Sequence, residues 1–278
     1  MTRKAVVVTV LILLASQAFG GTWIRSLAAA QKKAKDSKHL IFVDMFADWC
    51  GWCHRMEQEV FPSEVFQNAT NDMVLLRLNT EDGGEGTRLA QQFQVNSLPT
   101  FLLLTPDMML AGVIRGYAPA TDFVKTLDMT EGKYRDFEKQ VKQEPTFATD
   151  YAKRLDLARG FTQHFAMAQG ESRLKKLVTE KGVPVTIRDQ AYFELAVSQV
   201  LQNRLDDASK SIVAFSKVQS KGESYERARV MLGQIYLQQG NLLAAANEFR
   251  FFKASYPNSP MMRNVEVMLA DIERRLRK

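Results

Sequence analysis

The sequence predicts an α/β domain built around a mixed sheet flanked by helices, followed by a second domain that is entirely helical. Up to Met129, short apolar runs with strand character alternate with amphipathic stretches, whereas only helical periodicity remains beyond Pro145. The chain has 278 residues, of which 46% are hydrophobic and 24% charged. This composition suits two ordinary globular domains and excludes a disordered or fibrous protein.

The N-terminus has the pattern of a signal peptide. Arg3 and Lys4 precede the apolar run 5–15, and Ala18-Phe19-Gly20 supplies small residues at a cleavage point. The apolar run is too short for a comfortable membrane span. We therefore expect residues 1–20 to be removed, leaving an exported, periplasmic and soluble protein. An uncleaved membrane anchor is the alternative.

The first domain is predicted to alternate helices and strands. The apolar patterns indicate helices over 23–38, directly after Cys53, over 87–93 and over 120–127. They indicate strands over 39–46, 73–78, 101–104 and 110–114, the last two forming a hairpin.

A densely charged stretch separates the two predicted domains. It contains Gly132 as an expected helix breaker and ends at Pro145. The predicted boundaries are therefore an α/β domain over 21–131, a charged linker over 132–148 and a helical domain over 149–278.

The helical domain contains a faint internal repeat. Leu232-Gly233, Tyr236, Gly240 and Ala245-x-x-x-Phe249 are matched 37 residues earlier by Leu195-Ala196, Gln199, Asn203 and Ala208-x-x-x-Ile212. This pattern resembles the tetratricopeptide (TPR) repeat, whose stacked helix pairs form a concave surface for a protein or peptide partner. The polar Gln199 stands where a large aromatic residue belongs, so an irregular helical bundle is the alternative.

Charge is divided unevenly between the two parts. Residues 21–144 carry a net charge of −3 and residues 145–278 carry +7. The basic half could attract acidic partners or anionic lipid, but a solvated helical surface explains it better. We expect no binding to nucleic acid.

The chain has two cysteines, and both lie in the unit Cys50-Gly51-Trp52-Cys53. No sulfur is left for a structural disulfide or for a four-thiolate metal site. The pair follows an apolar strand and precedes a helix, which puts Cys50 at a helix N-terminus, where backbone N–H groups stabilise its thiolate. We therefore assign Cys50 as the attacking sulfur and Cys53, one turn on, as the sulfur that resolves the mixed disulfide.

Two stretches around this pair carry a family resemblance. Asp44-Met-Phe-Ala-Asp-Trp-Cys-Gly-Trp-Cys53 and Ser97-Leu-Pro-Thr100 resemble the signature segments of the thioredoxin superfamily, and the resemblance covers residues 23–129. Together with Met73-Val-Leu-Leu76 and Gly116-Tyr117, they are similar in particular to the periplasmic C-terminal domain of membrane thiol:disulfide interchange reductases.

The resemblance implies a thioredoxin fold and an exported thiol–disulfide oxidoreductase that needs no cofactor and no metal. Its partners would be client proteins with cysteines or disulfides and a membrane thiol–disulfide electron donor. The helical half lies outside the resemblance.

The resemblance also implies roles for individual residues. Pro99 would be a cis-proline facing the cysteines and exposing the backbone of Leu98 to a substrate peptide. Asp44 would be a buried acid that relays the proton of Cys53, with Arg77 beside it as an ion-pair partner. Three further positions complete the substrate-binding set, namely Trp49, Trp52 and Gly116.

Two residues near the sulfurs depart from the thioredoxin pattern. Trp52 replaces the usual proline between the cysteines, and His54 stands where a lysine is usual. A charged His54 would favour the Cys50 thiolate, although simple solvent exposure explains this residue better. Because such residues tune the redox potential, the direction of electron transfer stays open, with reduction favoured by the resemblance.

Other functions fit parts of the pattern. Cys50-Gly-Trp-Cys53-His54 also satisfies the attachment pattern for c-type haem, but the preceding strand and the Leu98-Pro99 segment have no role in that chemistry. A zinc site is less well supported, because only His54 is near to join two thiolates. A different class of hypothesis is a TPR-type binding or scaffold protein in which the thioredoxin fold serves partner docking.

Overall fold

The computed structural model describes residues 22–218 and 222–277 and divides them into two compact units. Unit 1 contains the described residues up to Asp107 together with Ile114–Asp128, and unit 2 contains Met108–Val113 and the residues from Met129 onward. The predicted signal peptide lies outside the described residues. Within them, no helix combines the length and the apolar character needed to cross a membrane.

A four-stranded mixed sheet is the centre of the first fold. The strands are β1 (Ile41–Phe46), β2 (Val74–Asn79), β3 (Thr100–Leu104) and β4 (Leu110–Arg115), in the order β2-β1-β3-β4. Strand β1 is parallel to β2 and antiparallel to β3, and all six of its side chains are buried. A strand buried on both faces reads as a continuous apolar run, which is the pattern of 41–46 apart from Asp44.

The helices of this part are α1 (Leu27–Ser37), α2 (Gly51–Arg55), α3 (Glu64–Ala69) and α4 (Glu85–Gln92), and a π-helical turn, Met56–Val60, directly follows α2. With the mixed sheet they confirm the predicted α/β thioredoxin fold. An aromatic cluster fills its core: Phe42 of β1 lies with its ring centroid 5.4 Å from that of Phe66 and 5.6 Å from that of Phe101.

The first predicted helix begins later than expected. Residues 23–26 are not helical, because Ile24 forms a parallel bridge to Leu76. Its N–H donates to the Leu75 carbonyl at 2.8 Å, and its carbonyl accepts from the N–H of Arg77 at 2.9 Å. These hydrogen bonds to the edge of β2 keep Ile24 out of the helix, which begins only after its N-cap residue Ser26.

The expected break at Gly132 does not occur. Helix α5 runs unbroken over Ala120–Gln143, and a short 3₁₀ turn over Glu144–Thr146 follows it. A glycine inside a helix costs only about 1 kcal/mol. Tyr134 and Phe137 of the same helix are buried, and burying such side chains outweighs that cost. Much of the stretch predicted as a linker is thus helical, and the boundaries over 132–148 remain a prediction.

Unit 2 continues with seven further helices in the part of the chain that is described. They are α6 (Tyr151–Gln163), α7 (Met167–Thr179), α8 (Val185–Leu201), α9 (Leu205–Val218), α10 (Glu223–Gln238), α11 (Leu242–Ser255) and α12 (Met262–Leu276). Each contacts the next one along the chain, and α8 also contacts both α6 and α10. The all-helical second part is therefore confirmed.

The 37-residue sequence repeat falls on equivalent places of two helix pairs. Asn203 and Gly240 both adopt positive φ angles, 56° and 76°, in the turns after α8 and α10. Asparagine and glycine tolerate this left-handed conformation best, which explains these residue types. The small and apolar residues of the repeat are buried in both copies: Leu195, Ala196, Ala208, Ile212, Leu232, Ala245 and Phe249.

The polar Gln199 of the earlier copy is buried and accepts a hydrogen bond from the Ser211 hydroxyl at 2.8 Å. This bond between α8 and α9 gives the buried amide oxygen of Gln199 a hydrogen-bond donor, although glutamine departs from the repeat pattern at this position. The assignment of the helices to the TPR class remains a prediction.

The closest packing between α10 and α11 gives a testable prediction. A Cβ atom placed on Gly233 would lie 2.5 Å from Cε1 of Phe249, so the two helices approach too closely for a larger residue. We expect Gly233→Ala to lower the free energy of unfolding of unit 2 by about 1–3 kcal/mol. Urea unfolding followed by circular dichroism measures this loss.

Gly132→Ala is the matched control. Its added methyl group would meet nothing closer than Arg135 Nη2 at 3.9 Å. Alanine is the better helix former, so this change should raise stability by about 0.5–1 kcal/mol. Equal effects of the two substitutions would contradict the close packing of α10 on α11.

Candidate active site

The two cysteines lie where strand β1 leads into α2. Cys50 is the N-cap residue of α2, and Cys53 lies one turn further on. A disulfide bond joins them, with the Cα atoms 5.2 Å apart. The backbone N–H of Cys53 points at the Cys50 sulfur, at 3.1 Å. A donor is thus in place to stabilise negative charge on that sulfur when the bond is reduced.

Exposure differs slightly between the two sulfur-bearing residues. Cys50 is 3% exposed in the disulfide form, whereas Cys53 is completely buried. Both pack against Phe46 and the half-buried Leu98. The reachable edge of the pair therefore belongs to Cys50, and disulfide exchange with another protein would have to occur there.

Leu98 and Pro99 belong to the segment that leads into β3. The peptide bond between them is cis, and Pro99 is buried. The carbonyl of Pro99 accepts a hydrogen bond from the N–H of Gly116 at 2.9 Å. Gly116 has a φ angle of 83°, which favours glycine, and its Cβ position is open. The structure thus brings Leu98, Pro99 and Gly116 together, with Leu98 against the cysteines.

Asp44 lies in the middle of β1 and is completely buried. Arg77, its neighbour on β2, places Nε 3.1 Å from Asp44 Oδ2 and Nη1 2.5 Å from Glu57 Oε1. No group among the described residues donates a hydrogen bond to either oxygen of Asp44. One guanidinium is therefore shared between a buried carboxylate and a half-exposed one.

Burial has the largest effect on the pKa of Asp44. Desolvation raises its pKa to about 7, against the opposing pull of the Arg77 guanidinium. Glu57 adds to the rise by repulsion, and Arg25 opposes it weakly. The ion pair with Arg77 thus fails to keep the pKa of Asp44 low. The same guanidinium, by hydrogen bonding, lowers the pKa of Glu57.

Two tryptophans flank the disulfide at the surface. The side chain of Trp49 is 70% exposed and that of Trp52 54% exposed. Trp49 donates from Nε1 to Glu81 Oε1 at 2.9 Å. His54 is also exposed, and its Nε2 lies 2.9 Å from the carbonyl oxygen of Asp48. Neither indole is a core side chain, so both are available to another molecule.

Several residues at this site were not assigned from the sequence. The ring of Tyr117 lies against that of Trp52, and the Arg55 guanidinium lies over both rings. Glu59 accepts hydrogen bonds from Arg55 and from the Tyr117 hydroxyl. Arg55 and Glu59 have the spacing of an ion pair on one helix face, which the sequence could have signalled. No local pattern predicts that Glu57 reaches Arg77 or that Tyr117 reaches Trp52.

No group of three or more metal-ligating side chains is found within residues 22–218 and 222–277. Chemically, the arrangement offers a dithiol–disulfide couple with one reachable sulfur, a buried acid that titrates near neutral pH, and an aromatic surface beside the sulfurs.

The raised pKa of Asp44 predicts a pH-dependent stability. The fold disfavours the charged form of Asp44, whose pKa rises from 3.8 to about 7. The contribution of Asp44 to the free energy of unfolding is therefore fully favourable below pH 3.8 and is lost as pH rises through about 7. Removing the charge with Asp44→Asn should therefore stabilise the protein more at alkaline than at acidic pH. The gain should increase by about 2–3 kcal/mol between about pH 5 and pH 8.

Chemical denaturation at the two pH values measures this difference. Asp72→Asn is the control, because Asp72 is exposed and should change stability equally at both. A gain from Asp44→Asn that does not depend on pH would show that Asp44 ionises normally.

Known proteins resemble the first part of the chain. The thioredoxin-like domain family matches residues 27–131. The thiol:disulfide interchange protein DsbD of Actinobacillus pleuropneumoniae is 28% identical over 109 residues, which are 38% of this chain and 19% of DsbD. Thioredoxin 1 of Synechococcus elongatus is 28% identical over 101 residues, which are 36% of this chain and 89% of that thioredoxin.

Among solved structures, the oxidised C-terminal domain of DsbD from Neisseria meningitidis is 17% identical, with a TM-score of 0.34. That match covers 37% of this chain and 90% of the domain. The chain spans less than a fifth of the length of the DsbD relatives it matches. Residues 27–131 therefore form a thioredoxin-like domain, which resembles the C-terminal domain of DsbD.

Proposed function

We propose that this protein is exported and reduces disulfide bonds of client proteins through Cys50 and Cys53, while its helical part binds the clients. The observation that carries the proposal is the Cys50–Cys53 disulfide at the start of α2, with only Cys50 reachable. The signal-peptide pattern of residues 1–20 supports export, and the resemblance to interchange reductases supports the reducing direction.

The proposed reaction has two steps. In the reduced protein, the Cys50 thiolate attacks one sulfur of a client disulfide, forms a mixed disulfide and releases the second client sulfur as a thiolate. Cys53 then attacks the Cys50 sulfur and displaces the first client sulfur. The client gains two electrons, and the Cys50–Cys53 disulfide forms. A membrane thiol–disulfide donor would return the electrons.

Asp44 is proposed as the acid that manages the proton of Cys53. A group with a pKa of about 7 is partly protonated at neutral pH, so it can both accept and return a proton. Four residues are proposed to contact the client: Trp49, Trp52, Leu98 and Gly116. Leu98 packs on the cysteines, Gly116 is bonded to the neighbouring Pro99, and the two exposed tryptophans adjoin Cys50 and Cys53 in the chain.

The helical part is proposed to select clients. The support is its series of packed helix pairs, in which Gly233 lies directly against Phe249, as the small-against-large packing of a repeat requires. A second candidate function rests on the same observation: the protein is chiefly a binding module, and its thioredoxin fold is a docking scaffold.

The redox potential of the cysteine couple tests the direction of transfer. Equilibration with glutathione, followed by thiol alkylation and mass spectrometry, gives this potential. A reductase should have a value near that of thioredoxin, about −270 mV. A value near about −120 mV would instead indicate an oxidant and contradict the proposed direction.

Substitution of each cysteine distinguishes the oxidoreductase from the binding module. Cys53→Ala should accumulate mixed disulfides with clients, because Cys50 still attacks but nothing resolves the product. Cys50→Ser should form none and should abolish the cellular role. Trapped complexes are detected on non-reducing gels, and full cellular function of Cys50→Ser would favour the binding module.

A further inference from the structure

A closed set of contacts holds Trp52 beside the disulfide. Its ring centroid lies 5.3 Å from that of Tyr117, with the planes tilted by 31°. The Arg55 guanidinium lies over both rings, 5.6 Å from the Trp52 centroid and 4.9 Å from that of Tyr117. Glu59 accepts from Arg55 Nε at 2.8 Å and from the Tyr117 hydroxyl at 2.5 Å. Every member of the set therefore contacts at least two others.

These contacts join two segments that are distant in the sequence. Trp52, Arg55 and Glu59 follow one another along α2 and the π-helical turn, whereas Tyr117 follows β4. Tyr117 is next to Gly116, whose N–H is bonded to the Pro99 carbonyl. The position of the Trp52 ring is thereby fixed relative to the segment that packs on the cysteines. An exposed aromatic ring that is already ordered binds another side chain with little loss of conformational entropy.

The other exposed indole lies among uncompensated negative charge. Trp49 is bonded to Glu81, and Asp48 precedes it in the chain. Neither Glu81 nor Asp48 forms an ion pair with any residue that the structure describes. A basic side chain would therefore gain both the attraction of the Glu81 carboxylate and a cation–π contact with Trp49.

We propose that this surface selects client segments in which the cysteine is flanked by a large apolar residue, which packs on Trp52, and a basic residue, which binds near Trp49 and Glu81. Tyr117, Arg55 and Glu59 are positioning residues that act through Trp52. This inference rests on the proposed disulfide reductase activity and defines the chemistry of its clients.

Four synthetic peptides test the inference on the full-length, pre-reduced protein. Each peptide contains one cysteine and is used as the disulfide-linked homodimer. The residue on either side of the cysteine is leucine or glycine, and the next residue outward is lysine or glutamate. Reduction converts one dimer into two peptide thiols while the Cys50–Cys53 disulfide forms, so electrons balance. Dithiothreitol, a dithiol, re-reduces the Cys50–Cys53 disulfide after each turnover and is itself oxidised. The formation of monomeric peptide, followed by chromatography and corrected for the rate without protein, gives kcat and KM for each peptide.

The wild-type protein should prefer the leucine–lysine peptide over the glycine–glutamate peptide by about tenfold or more in kcat/KM. Trp52→Ala should remove the leucine preference, and Glu81→Gln should reduce the lysine preference. Tyr117→Phe should weaken the leucine preference about threefold through KM, since only the hydroxyl bond to Glu59 is lost. Its kcat and its redox potential should not change.

Val65→Ala is the matched control and should keep the wild-type preferences, because Val65 is an exposed apolar residue of helix α3 in the same unit. Equal kcat/KM values of the wild-type protein for all four peptides would overturn the inference and leave the reductase activity intact. An equal loss on all four peptides in Tyr117→Phe would overturn the positioning role. Failure to reduce any peptide would overturn the proposed function itself, and this inference with it.

Discussion

The burial of strand β1 between β2 and β3 is the constraint on which the site depends. All six residues of this strand are shielded from water, including Asp44, whose charge is then opposed by desolvation. The same strand ends at Phe46, four residues before Cys50 at the start of α2. One element thus fixes both the reactive sulfur and the environment of the buried acid.

Arg77 links this interior to the surface. Its guanidinium contacts Asp44 on one side and Glu57 on the other, and it also lies over the ring of Phe46 at 4.2 Å. Because one cation serves two carboxylates, it compensates the buried one incompletely. Desolvation by burial therefore outweighs the attraction of Arg77 and raises the pKa of Asp44 even though an ion-pair partner is present.

The helical part illustrates how a weak sequence repeat can have a clear structural basis. Asn203 and Gly240 occupy equivalent turns with the same backbone conformation, although their side chains differ. Gln199 departs from the expected aromatic residue, and its hydrogen bond to Ser211 satisfies its polarity inside the helix pair. A repeat that conserves backbone conformation and burial more than residue identity leaves only a faint trace in the sequence.

The sequence by itself determined the α/β order, the helical second part and the position of the cysteine pair between a strand and a helix. These features depend on local periodicity and spacing, which neighbouring residues encode. It misplaced the start of α1 and the effect of Gly132, because backbone pairing with β2 and the burial of Phe137 outweigh local preferences. Only the tertiary structure decided the rise in the pKa of Asp44 and the contact of Tyr117 with Trp52. Both depend on distances between residues far apart in the chain, which no local pattern specifies.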